Sequence, residues 1–149
     1  MLPPGHIATA LVLCRLARAD EPPAVVGALA PDFIDKPLAW VLHVIPGSRY
    51  LAHTVAAALL LSAAVGLLLG RRTAAGFAVG YLGHLAGDQA FGGHVPWLMP
   101  FRKYNIPHDS LRDVRLSGWA WTFEALSLLL VAFWAKRAVA GAKAGPPTS

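Results

Sequence analysis

Long apolar runs separated by short polar breaks dominate the second part of the chain. Residues 50–70 contain no formally charged side chain, and Arg71 and Arg72 end this run. A transmembrane α-helix needs about 20 predominantly apolar residues, so the run predicts a membrane span. Residues 73–90 and 116–135 form two similar runs. The pattern therefore predicts three spans.

The pattern before residue 50 is less regular. Residues 6–19 predict a helix that the Pro22–Pro23 pair breaks, residues 24–30 resume it, and Pro31 begins a polar turn, PDFIDKP. Residues 37–45 form a further short apolar piece. No piece has spanning length, so we expect a helical hairpin. The predicted fold is an all-α integral-membrane helical bundle: three spans plus this hairpin in a single domain over residues 1–140, with a disordered tail at 141–149.

Composition supports a membrane location. The 149 residues are 56% hydrophobic and 14% charged, whereas a soluble domain carries about 25% charged residues. The net charge of +5 lies in short basic clusters between apolar runs, as in loops beside lipid headgroups. We therefore expect membrane lipid, and no nucleic acid, as a partner. The single cysteine, Cys14, excludes an internal disulfide and a Cys-rich zinc finger.

Polar residues at the ends of the predicted helices carry the candidate chemistry. If residues 50–70 and 73–90 form antiparallel spans, His53 at the start of one meets His84 and Asp88 near the end of the other. His84 and Asp88 are four residues apart, so a helix places them on one face.

The hairpin adds donors to the same kind of site. His6 starts its first arm, and Asp32 and Asp35 follow its second arm. Imidazole nitrogens and carboxylate oxygens suit zinc or manganese, and ionisable groups at membrane depth are usually functional. Each residue alone has a simpler interpretation, an interfacial histidine or a capping aspartate. The conjunction of three histidines and three aspartates predicts a metal site.

Charge counting gives an orientation. Seven basic residues lie at the membrane face opposite the predicted metal site, and six lie at the same face as the site. The positive-inside rule therefore favours a non-cytoplasmic site in the cell (inner) membrane. The seven are Arg15, Arg18, Arg71, Arg72, Lys136, Arg137 and Lys143.

Four further polar residues have open interpretations. His43 is expected to be interfacial, and His94 and His108 either close over the site or are solvated loop residues. Glu124 lies in the middle of the last span, where an unpaired carboxylate is costly. It is either neutral, paired with a buried polar group, or active in proton transfer.

Several motifs together resemble a known family. The segments GHLAGD, PDFIDKP, RYLAHT and FGGHVPWLMPF, within residues 5–102, are similar to those of the YdjM-like family of predicted membrane-bound metal-dependent hydrolases. The resemblance implies that the family's recurring residues are His6, Asp32, Arg49 with His53, His84 with Asp88, and Pro100 with Phe101.

The order of these residues is also similar to the ligand order of zinc-dependent phospholipase C, which we use only as an analogy for mechanism. The chain departs from both patterns. Asp35 follows Asp32 at three positions rather than two, and no later His-x-x-x-Glu pair is present. One or two metals are therefore expected.

The sequence thus predicts a metal-dependent hydrolase for a phosphoester or a lipid-linked substrate. The expected ligands of the divalent metal, zinc or alternatively manganese, are His6, Asp32, His53, His84 and Asp88. Two further residues are predicted catalytic: Arg49 would engage a phosphate oxygen, or else face headgroups, and Asp35 would be a ligand or orient a histidine.

Two other hypotheses use the same residues. The first is a non-enzymatic protein that binds or transports a metal ion. The second is a haem-binding span with His53 and His84 as axial ligands, against which the aspartates argue. No pattern indicates an oligomeric state.

Overall fold

The computed structural model describes residues 1–91, 94–106, 108 and 118–143. These residues form five α-helices and no strand, which confirms the all-α prediction. The helices are α1 (Pro3–Leu16), α2 (Glu21–Trp40), α3 (Val55–Leu69), α4 (Arg71–Ala90) and α5 (Gly118–Lys143).

The three predicted spans are not equally supported. Within the described residues, one helix is long and apolar enough to cross a membrane, and that segment is Gly118–Val139 of α5. Helix α3 is apolar but has only 15 residues. Helix α4 has 20 residues, but its glycines, His84 and Asp88 lower its apolar content. The structure therefore supports one span, and three spans are not confirmed.

The predicted turn at PDFIDKP is wrong, because α2 continues as a helix through Pro31 and Pro37. Pro22 and Pro23 do not break the helix either, because they lie in the first turn of α2. The backbone N–H groups of a first turn have no partner within the helix, so proline is tolerated there. An internal proline removes one hydrogen bond and presses its ring on the preceding turn. Helix α2 tolerates this where it packs against α1 and α4.

Residues 41–54 form a non-helical connection between α2 and α3, so the span predicted from residue 50 begins as a helix only at Val55. Thr54 is the reason for the late start. Its side-chain oxygen accepts a hydrogen bond from the backbone N–H of Ala57 at 3.0 Å, which is a standard N-cap that fixes the beginning of α3.

Helix α4 lies in the middle of the bundle and contacts α1, α2 and α3. Its glycines make the closest of these approaches possible. A Cβ on Gly80 would collide with the carbonyl oxygen of Ala24, and one on Gly27 would collide with that of Phe77. Backbones in direct contact need small residues. The α2–α4 crossing is therefore set by Gly27 and Gly80.

Two boundaries touch residues outside the described part of the chain. Helix α5 extends to Lys143, so it includes the first three residues of the predicted tail, and residues 144–149 lie outside the description. The start of the last predicted span, residues 116 and 117, also lies outside the described residues. So do Arg112 and Arg115, two of the six basic residues counted at the face of the predicted site.

Candidate metal centre

The structure brings the predicted donors together from four parts of the chain. His6 comes from the first turns of α1, Asp32 and Asp35 from α2, His53 from just before α3, and His84 and Asp88 from α4. All are buried, with relative exposures of 8% for Asp32 and 1% or less for the others. We call His6, Asp32, His53, His84 and Asp88 the donor cluster.

The two histidines at its middle are oriented by hydrogen bonds on their outer nitrogens. His53 Nδ1 lies 2.8 Å from Asp35 Oδ2, and His84 Nδ1 lies 2.6 Å from the carbonyl oxygen of Ala28. A carboxylate or a carbonyl oxygen can only accept, so each Nδ1 carries the hydrogen. The Nε2 atom of each neutral imidazole therefore presents a lone pair.

These two Nε2 atoms lie close to each other and to carboxylate oxygens. His53 Nε2 and His84 Nε2 are 3.1 Å apart. Asp32 Oδ1 lies 3.7 Å from the first and 3.8 Å from the second. Asp88 Oδ2 lies 3.7 Å and 3.9 Å from the same two atoms. Each Nε2 atom thus lies within 3.9 Å of the other and of an oxygen from each aspartate.

This geometry fits a metal ion. Two atoms bound to one zinc at about 2.0–2.1 Å lie at most about 4.2 Å apart, and these five separations are all shorter. With both rings neutral, the converging acceptors repel one another unless a cation lies between them. Two overlapping groups of three residues could each hold a metal ion. One group is His53, His84 and Asp88, and the other is His6, Asp32 and His84.

His6 completes the cluster on the side of Asp88. Its ring stacks on that of His84 with centroids 3.6 Å apart, and its Nε2 lies 3.4 Å from Asp88 Oδ1 without hydrogen-bond geometry. Within the described part of the chain, neither ring nitrogen of His6 has a hydrogen-bond partner. Buried, unsatisfied nitrogens are rare, and a metal ligand is one explanation for them.

Asp35 has a different environment from the other aspartates. It accepts hydrogen bonds from the backbone N–H groups of Tyr50 at 2.7 Å, Ala52 at 3.0 Å and His53 at 3.3 Å, besides the one from the His53 ring. These four donors use its acceptor capacity. Asp35 therefore fixes the connection before α3 and the direction of the His53 ring.

Three cationic groups border the cluster. Lys36 donates to Asp32 Oδ2, Arg49 donates to Asp88 Oδ2, and the buried N-terminal ammonium of Met1 donates to Asp88 Oδ1 at 2.8 Å. The Lys36 and Arg49 side chains are 27% and 33% exposed, so both reach the surface. Arg49 was predicted from the sequence, whereas Lys36 was not. The spacing of four residues between Asp32 and Lys36 would have revealed the pair if this segment had been interpreted as helical.

Tyr81 is a second residue that the sequence analysis missed. Its buried hydroxyl donates to the carbonyl oxygen of Ala52 at 2.5 Å. Together with Asp35, this bond ties the connection before α3 to both α2 and α4. The other histidines are not part of the cluster, since His43, His94 and His108 are exposed.

Glu124 is paired, as one of the predicted alternatives had it. Its carboxylate accepts from the backbone N–H of Leu2 at 2.6 Å and of Gly5 at 2.8 Å. Pro3 and Pro4 have no N–H, so Glu124 binds the donors that remain at the start of α1. A carboxylate at a helix N-terminus is also favoured by the helix dipole.

A model of the family described as YdjM inner membrane protein matches residues 1–145. The chain belongs to the YdjM family. No curated protein and no solved structure matches it. The family is described as an inner membrane protein, and the apolar segment of spanning length in α5 agrees with a membrane location.

The haem hypothesis does not fit the geometry. Axial ligands lie on opposite sides of a porphyrin, whereas His53 Nε2 and His84 Nε2 are 3.1 Å apart. This separation leaves no space for a macrocycle between the two rings.

Proposed function

We propose that the protein is a membrane-bound, metal-dependent hydrolase that acts on a phosphoester or lipid-linked substrate at the membrane face. The observation that carries the proposal is the pair of imidazole Nε2 atoms, 3.1 Å apart and flanked by two carboxylates. With both rings neutral this arrangement sets acceptors against each other, and a divalent cation between them would turn it into a favourable one.

The donor cluster would hold the cation, and zinc is the proposed metal because the set mixes imidazole and carboxylate donors. A bound divalent metal supplies Lewis acidity, which lowers the pKa of water toward about 7 and polarises a phosphoryl or carbonyl oxygen. His53 and His84 are held in the correct tautomer by Asp35 and Ala28. Such support raises the basicity of a ligating histidine.

Arg49 and Asp35 have distinct proposed roles. Arg49 is one-third exposed and lies against Asp88, so its planar guanidinium could bind a phosphate oxygen beside the cluster. Asp35 is fully buried, and its oxygens are taken by four N–H groups. We therefore assign Asp35 to positioning His53, and not to direct contact with substrate.

We further propose that the cluster faces the non-cytoplasmic side. Basic residues gather at the opposite end of the bundle, where Arg15 lies 4.7 Å above the Trp134 ring and Arg72 pairs with Asp20 at 3.0 Å. Labelling of a cysteine at position 94 and of one at position 71 with an impermeant maleimide, in a Cys14→Ser background, tests this. Reaction at 94 in intact cells supports the orientation, and reaction at 71 alone contradicts it.

The alternative, a non-enzymatic protein that binds or transports metal, is favoured by one observation. The three histidines of the donor cluster are completely buried, as expected for storage or transfer of an ion rather than for contact with a large substrate.

Metal analysis coupled to a hydrolysis assay separates these functions. The purified protein is assayed for bound metal and for hydrolysis of bis-p-nitrophenyl phosphate, alongside His84→Gln and a matched control, His94→Gln, in which an exposed histidine is changed. We expect metal and hydrolysis in the wild type and the control, and neither in His84→Gln. Bound metal without hydrolysis of this or of lipid phosphoesters would support the alternative. Absence of metal from the wild type would contradict both.

A further inference from the structure

An apolar groove lies against the second half of α2, next to the donor cluster. Its volume is about 380 Å³, within the range of about 300–1,000 Å³ that is typical of small-molecule sites. Its walls are mostly hydrocarbon, from Leu29, Phe33, Pro37 and Val41, with Pro3 closing it from α1. A ligand that fills this space must itself be largely apolar.

Two polar residues, Asp32 and Lys36, also line the groove, and Asp32 belongs to the donor cluster. Asp32 lines the groove, and its two oxygens face different partners. Oδ1 lies 3.7 Å from His53 Nε2 and 3.8 Å from His84 Nε2, while Oδ2 accepts from Lys36. A ligand lying in the groove would therefore place its polar end beside the proposed metal.

Lys36 gives the groove a positive charge beside Asp32. Its ammonium lies 5.7 Å from the centroid of the Trp40 ring, and both residues line the groove. An ammonium has three N–H donors, and the bond to Asp32 uses one of them. Lys36 can thus bind an anionic oxygen without giving up its carboxylate partner.

The groove is bordered by exposed apolar side chains. Phe33 is 73% exposed and Val41 72%, and the next residues of the connection, Leu42 and Val44, are 60% and 65% exposed. In a protein of the inner membrane such side chains contact lipid. Hydrocarbon can therefore pass from the bilayer into the groove without crossing water.

We propose that this groove binds the hydrocarbon chain of a membrane lipid phosphoester, with the lipid phosphate at Lys36. The proposal rests on the proposed function for the reaction, whereas the binding event stands on the groove alone. It narrows the substrate from phosphoesters in general to those that carry a long alkyl or acyl chain.

Binding is measured with probes that cannot be hydrolysed at phosphorus. Hexadecylphosphonate carries both chain and anion, methylphosphonate carries the anion alone, and hexadecanol carries the chain alone. Native mass spectrometry in detergent gives the bound fraction of each, and the metal content is read from the same samples. Burial of the chain should make hexadecylphosphonate bind at least about tenfold more tightly than methylphosphonate.

Three variants locate the binding. Leu29→Trp fills the groove from inside, and Val41→Trp obstructs it at an exposed position where the fold tolerates the change. Lys36→Gln removes the cation. The matched control is Leu68→Trp, at an apolar position on α3 that is 81% exposed and does not line the groove.

We expect either tryptophan in the groove to reduce hexadecylphosphonate binding to the level of methylphosphonate. Lys36→Gln should reduce it to the level of hexadecanol, and Leu68→Trp should leave it unchanged. Equal binding in the wild type and both groove variants, or equal binding of the three probes, would overturn the proposal. Absence of metal from the purified wild type would refute the proposed function, but it would not affect this proposal, because probe binding and metal content are measured separately.

Discussion

Two regions of this protein bury acidic side chains, and they stabilise them in different ways. Glu124 in α5 is 5% exposed and accepts hydrogen bonds from the uncharged backbone N–H groups of Leu2 and Gly5. Asp88 in α4 is 1% exposed, accepts from the N-terminal ammonium of Met1 and from Arg49, and lies beside histidine nitrogens. Neutral backbone groups thus surround Glu124, whereas Asp88 combines two cationic partners with the histidines of the donor cluster.

The difference separates a carboxylate that caps a helix from one in a cluster that could hold a metal ion. A buried carboxylate whose partners are N–H groups needs nothing from outside the protein. In the donor cluster, the Nε2 atoms of His53 and His84 lie 3.1 Å apart, and the nitrogens of His6 lack hydrogen-bond partners among the described residues. Under the proposed function, such a cluster is stabilised by an added cation. Isosteric amide substitutions should therefore have different effects in the two regions.

The largest effect is expected for Asp88→Asn. The substitution keeps the shape of the side chain and removes one anionic donor from the cluster. Metal affinity should fall by more than about 100-fold, beyond the 10–100-fold typical of residues that only support ligands. Titration of the metal-free protein by calorimetry measures it. Unchanged affinity would mean that Asp88 is not a ligand and would remove the contrast with Glu124.

Asp35→Asn should have a smaller effect on metal affinity than Asp88→Asn. An amide in place of the carboxylate offers one acceptor oxygen, and in either orientation its NH2 group points at the N–H group of Ala52, which contacts both oxygens of Asp35. The His53 ring loses its fixed direction, and metal affinity should fall by about 10–100-fold. The affinity is measured at a temperature where circular dichroism shows the variant folded. A loss as large as that of Asp88→Asn would instead make Asp35 a ligand.

Glu124→Gln should act on stability and leave the metal in place. Glutamine keeps one acceptor for the two N–H groups of Leu2 and Gly5, so one buried donor loses its partner. This costs about 2 kcal/mol of unfolding free energy, seen as a lower midpoint of thermal unfolding in detergent. If Glu124→Gln lost metal while still folded, the carboxylate would have a role in the site as well.

Thr54→Ala should give the smallest effect. Thr54 is the immediate neighbour of His53, but its hydroxyl caps α3 through Ala57. Losing an N-cap costs about 1 kcal/mol, again measured by thermal unfolding, and the metal content should not change. A metal-free Thr54→Ala protein would show that any disturbance near His53 empties the site, and the Asp88 result would then carry less weight.

The meeting of His53 with His84 and Asp88 could be predicted from sequence. It follows from two consecutive antiparallel helices, and the spacing of four residues places His84 and Asp88 on one face. These inferences use only local periodicity and chain direction. The structure gives the same arrangement for these three residues, although the helix after His53 begins later than the apolar run suggested.

The partners of Glu124 and Asp35 could not be predicted in this way. Glu124 binds a backbone group 122 positions away, and no side-chain pattern marks a backbone donor. Pro31 and Pro37 suggested a turn, because proline opposes a helix locally. Tertiary packing of α2 against α4 overrode that preference, and Lys36 was missed for the same reason.

The crossing of α2 and α4 at Gly27 and Gly80 has a consequence for which residues determine the geometry of the cluster. The backbones touch there, so Asp32 from one helix and the pair His84 and Asp88 from the other are carried by two helices in direct contact. A side chain at either glycine would push these helices apart, and the oxygen and nitrogen atoms that they carry would separate with them. The arrangement of the cluster therefore depends on two residues that have no side-chain polar atom at all.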